Sequence, residues 1–94
     1  MATTGEIDLP SREEVLYRIR ELRDGSLSNE QVAEWAGDFV SADWQRGLEP
    51  RITDCPVWEM LITLSGADLR DTPTSYLHGP ENFTAWENEL LNAP

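Results

Sequence analysis

Between Cys55 and Ser65 nearly every position is apolar, and this segment constrains the fold more than any other. Val57, Trp58, Met60, Leu61, Ile62 and Leu64 cover most of the circumference of a helix, with only Glu59 and Thr63 polar within the span. A helix that is apolar on almost all sides needs neighbours on several sides, so it is expected at the centre of the molecule. Asp54 stands at its N-cap position, Pro56 is tolerated in the first turn, and Gly66 stops it.

Three more helices follow from periodicity and caps. Ser11 and Glu14 form a Ser-x-x-Glu capping box ahead of Val15, Leu16, Ile19 and Leu22, with Gly25 as the stop. Tyr17 falls on the far side of that helix. Ser28 and Gln31 form a second box, and Leu27 and Val32 stand where a hydrophobic staple would form. Val32, Trp35, Ala36, Phe39 and Val40 then make one stripe, with Trp44 at its margin. Asp43 would point into that stripe, so this helix should loosen near 42–44, or Asp43 should pair with Arg46 or Arg51. Gly47 ends it at the latest. Pro80 suits the first position of a last helix carrying Phe83, Trp86 and Leu90.

The expected architecture is therefore all-α: a compact bundle of four short helices with the third inside, in one domain over residues 9–94. Residues 1–8 read as a disordered tail. The stretch 67–79 is rich in turn residues. An α+β fold with one small hairpin near 69–78 is the alternative.

Charge bears on function. Eighteen carboxylates oppose seven arginines and no lysine, for a formal net charge of −11. Four arginines on the first helix, Arg12, Arg18, Arg20 and Arg23, are matched locally by Glu13, Glu14, Glu21 and Asp24 and read as a salt-bridged wet surface. The remainder is strongly acidic. Such a field repels nucleic acid and anionic lipid and attracts basic proteins. The expectation is a basic protein partner, with no nucleic acid and no membrane. A single cysteine, a polar start and no long apolar run point to the cytoplasm.

Catalytic signals are sparse. His78, the one histidine, precedes Gly79-Pro80 and reads as a turn residue; Cys55 reads as a half-buried structural thiol. Asp68, Asp71 and His78 lack the spacing of a metal motif. No cofactor, metal site or enzymatic activity is expected. Glu30, Glu34 and Asp38 recur every four residues opposite the second helix's apolar stripe, with no base nearby in sequence, and form a candidate docking ridge. Tyr17 and Tyr76 are further partner-binding candidates. An adaptor that binds a protein through an aromatic patch of Tyr17, Trp44 and Tyr76 is the alternative function.

The link from Asp24 through Gly25-Ser26-Leu27-Ser28-Asn29 to Glu30, the segment Ser65-Gly66-Ala67-Asp68-Leu69, and Trp86 together resemble the small acidic four-helix bacterial immunity proteins that inhibit nuclease bacteriocins. The family's paired tyrosines are replaced here by Arg70 and Asp71. The resemblance implies inhibition of a basic toxin nuclease, with the second helix choosing the partner through Glu30, Glu34 and Asp38.

Overall fold

The computed structural model describes residues 6–42, 47, 49–72, 75–76 and 78–94, with only the backbone for 71 and 76. Four helices of ten residues or more dominate: α1 (Arg12–Asp24), α2 (Asn29–Val40), α3 (Cys55–Leu64) and α4 (Pro80–Leu91). Four short strands accompany them: β1 (Glu6–Asp8), β2 (Glu49–Arg51), β3 (Arg70–Thr72) and β4 (Ser75–Tyr76).

The caps follow the sequence. Ser11 accepts the Glu14 N–H at 3.1 Å. Ser28 accepts from Gln31 N–H at 3.1 Å, while the Gln31 side chain accepts the Ser28 N–H at 2.8 Å. Gly25 closes α1 at φ 83°, a left-handed conformation that a Cβ disfavours. Gly25→Ala is expected to destabilise by about 1–2 kcal/mol through backbone strain alone, since no atom lies within 4 Å of the added methyl. Urea denaturation measures this; an unchanged midpoint would mean the turn relaxes. In α4 the Asn82 side chain accepts the Gly79 N–H at 3.0 Å, and His78 stacks edge-on against Trp86 with ring centroids 5.0 Å apart.

Val15, Ile19, Val32, Val57, Leu61, Leu64 and Leu90 are essentially sealed from solvent and form the core with Ala36, Phe83 and Trp86. Helix α3 touches α1, α2 and α4, and α1 lies along α4. Helix α1 likewise touches the other three, so contact does not single out α3 as the inner helix, and its cover is incomplete: Ile62 remains 47% exposed and Trp58 half-buried. Its neighbours leave one side of the helix open.

The all-α expectation needs correction, because two small β pairs flank a mostly helical body. β1 and β2 pair in parallel, Glu6 to Glu49 and Asp8 to Arg51. Residues 6–8 are thus ordered in a strand where a tail was expected. Arg51 bridges this pair, bonding Glu6 and lying 3.7 Å from Asp8. A three-residue strand with one apolar side chain leaves no alternation to read. β3 and β4 form an antiparallel hairpin over 70–76, the alternative raised for that region. Thr72 and Ser75 hydroxyls meet across it at 2.8 Å. The expectations for Asp43 and Trp44 fall on 43–46, outside the described residues.

Candidate functional site

The acidic ridge exists as a surface. Glu30, Glu34 and Asp38 are all exposed along α2. Its first member is not unrelieved, however: Arg70 at the start of the hairpin donates to Glu30 at 3.0 Å. That base is forty residues away in sequence, so local reading of α2 could not supply it. Tyr17 is 59% exposed on α1. Among the described residues no hydrogen bond or ion pair joins it to the ridge. The Tyr76 side chain and Trp44 lie outside the described residues. The aromatic patch is therefore not assembled by anything the structure describes.

The arginines of α1 behave differently from the sequence reading. Only Arg18 stays local, 3.8 Å from both Glu14 and Glu21, with its guanidinium 5.0 Å over the Trp35 ring. Its Nε and one Glu21 oxygen are buried without a hydrogen-bond partner. Arg12 instead grips Asp54 with two parallel bonds, Nε to Oδ2 at 3.0 Å and Nη2 to Oδ1 at 2.9 Å. Hydrogen bonding from Arg12 holds the Asp54 carboxyl below the usual carboxylate range. The N-cap carboxylate of α3 is thereby tied to α1.

Arg20 and Arg23 both converge on Glu87. Arg20 Nε reaches one carboxylate oxygen at 2.5 Å and Arg23 Nη1 the other at 2.6 Å. Glu87 is 8% exposed, a charged residue set in the buried face of α4 beside Phe83, Trp86 and Leu90. Its carboxyl is held below the ordinary range, first by the hydrogen bond from Arg20 and then by that from Arg23, against the opposing effect of burial. Two cations share one anion here. The two pairs engage Arg20 Nε and Arg23 Nη1, and the side chains stay 47% and 34% exposed. Their remaining N–H donors therefore keep access to solvent, where a bidentate acceptor such as phosphate is well matched. Sequence reading missed this cluster. The signal was available: Glu87 falls on the Phe83/Trp86/Leu90 face, and a buried carboxylate requires a cation.

Among the described residues the catalytic candidates gain no hydrogen-bonding partner. Cys55 is exposed rather than half-buried, and His78 contacts an aromatic ring. Among the described residues no three His, Cys, Asp or Glu side chains gather as a metal site, and no helix is long and apolar enough to cross a membrane.

Comparison with known proteins changes the functional picture. The family model described as YxzC DNA-binding protein matches residues 4–90. A Bacillus subtilis (strain 168) protein, printed as Uncharacterized protein YxzC, is 38% identical over 73 residues, covering 78% of this chain and 56% of that protein. The chain thus spans little more than half the length of that relative. No solved structure matches. These findings overturn the resemblance to immunity proteins, and with it the toxin-inhibitor reading and its basic protein partner. They conflict equally with the exclusion of nucleic acid and give no support to an aromatic-patch adaptor. Net charge describes the far field of a protein, whereas contact is decided by local groups. With a family match across almost its whole length and a relative sharing more than a third of aligned positions, the chain belongs to the YxzC family.

Proposed function

We propose that the chain is a DNA-binding protein of the cytoplasm that meets the phosphate backbone through the Arg20–Arg23 edge of α1, in a binding rather than a catalytic role. The family's description supports the ligand class. The observation that carries the residue assignment is two partly exposed guanidiniums sharing the single carboxylate of Glu87. Phosphate contacts fix a protein's position on DNA without reading sequence.

The −11 net charge shapes how such binding would behave. Each phosphate contact releases counterions and contributes about −0.9 to the slope of log affinity against log salt. Two contacts would give a slope of about −1.8, while long-range repulsion relaxes as salt rises and offsets part of it. The expected binding is weak, sequence-tolerant and only shallowly dependent on salt.

Fluorescence anisotropy with a labelled duplex at low salt tests this. The wild type should bind, Arg20→Gln/Arg23→Gln should weaken binding at least tenfold, and Arg20→Lys/Arg23→Lys, which keeps the charge but loses the paired donors, should fall between the two. Arg51→Gln, at an arginine engaged in the β1–β2 pair, should bind as wild type does. Circular dichroism would establish that the variants stay folded. Absence of wild-type binding, or equal binding by the glutamine variant, would remove the reading.

A further inference from the structure

A cleft of about 280 Å³ opens between α3 and the end of α4. The apolar residues Pro56, Met60, Leu90 and Ala93 line it together with the acidic residues Glu59 and Glu89. Met60 and Leu90 belong to the sealed core, so they form its floor. Glu59 and Glu89 are exposed. Among the described residues neither carboxylate has a hydrogen bond or a cationic partner, in contrast with Glu30, Asp54 and Glu87.

The walls of the cleft are fixed from behind. Arg12, already bound to Asp54 at the start of α3, also donates to the Ala93 carbonyl at 3.0 Å and the Pro94 carbonyl at 3.1 Å. One guanidinium thus ties the two segments that form the cleft. Its charge is matched by Asp54, so it leaves Glu59 and Glu89 uncompensated. A cleft held open in this way binds without first ordering its walls.

We propose that this cleft binds a small organic cation, a primary ammonium carried on a short apolar body. Its two carboxylates repel anions. A bare divalent metal would find an apolar floor where it needs a shell of six or more oxygens. An apolar body on the floor with an ammonium between Glu59 and Glu89 satisfies both surfaces. The volume lies at the small end of ligand pockets, which restricts the occupant to a fragment-sized molecule. This site is separate from the Arg20–Arg23 edge and does not depend on DNA binding.

The chain has two methionines, Met1 and Met60, so ¹³C-methyl labelling gives a sparse spectrum with Met60 as the reporter in the cleft floor. Titration with phenethylammonium should move the Met60 methyl resonance saturably, with a dissociation constant of about 1 mM or tighter. The neutral isostere 2-phenylethanol should bind at least tenfold more weakly. The Glu59→Gln/Glu89→Gln variant, altered only at exposed positions, should lose the same factor for the cation. No saturable shift of Met60 would overturn the proposal. So would equal affinity for the alcohol, or undiminished affinity in the double variant.

Discussion

Truncating Leu61 to alanine is expected to destabilise the protein by about 2–5 kcal/mol, the usual range for a leucine removed from a packed interior. Leu61 is fully buried in α3, which touches all three other helices. Its loss removes transfer free energy and leaves a cavity that several elements would have to collapse to fill. For a domain of this size each kcal/mol lowers Tm by about 4–8 °C. Ile62, one position along and 47% exposed, provides the contrast. Ile62→Ala should cost less than about 1 kcal/mol, as surface substitutions generally do. Equal losses at the two sites in thermal or urea denaturation would mean that α3 is not packed as described.

Replacing Glu87 with glutamine should cost about 1–3 kcal/mol at neutral pH, the range for hydrogen bonds to charged groups. The value stays below that of a fully buried pair because Arg20 and Arg23 can rehydrate when the carboxylate charge is gone. Acid provides the sharper readout. The folded state holds the Glu87 carboxyl below its unfolded value of about 4.3. Its contribution is therefore complete above that pH and fades as pH falls through the lower, folded value. Protonating the other carboxylates meanwhile relieves self-repulsion, so the wild-type curve alone mixes two effects of opposite sign. The difference between wild type and Glu87→Gln separates them: it should be largest at pH 7 and shrink on descent below about pH 4. A difference independent of pH would show that the charge of Glu87 is not engaged by the arginines.

This cluster also explains why the site was hard to read from sequence. The arginines of α1 each have an acid within four residues, which suffices to explain them as surface pairs. Only Arg18 uses such neighbours; Arg12 and the Arg20–Arg23 pair reach forty-two and more than sixty residues along the chain. Exposed local pairs are worth little, so a semi-buried carboxylate on another helix draws the guanidiniums away. The sharing of Glu87 by two arginines was missed for a related reason. An excess of carboxylates is visible in composition, but two cations on one anion become visible only once α1 lies against α4.

What the sequence determined by itself is local. The helix starts at Ser11 and Ser28, the left-handed stop at Gly25, Pro80 in a first turn and the apolar faces of all four helices depend on residues within one or two turns of each other. Hydrogen-bond caps and a 3.6-residue period are properties of short segments, and they hold wherever the segment is placed. The tertiary structure decided what requires two distant segments to meet. It paired Glu6–Asp8 with Glu49–Arg51, assigned Arg70 to Glu30, set Glu87 between two arginines and shaped the cleft that Arg12 holds. Each of these contacts is only a few side-chain atoms wide and leaves no periodic trace in the chain. Their energy arises from desolvated charge and backbone pairing, which depend on the distance between segments in space rather than on their spacing in sequence.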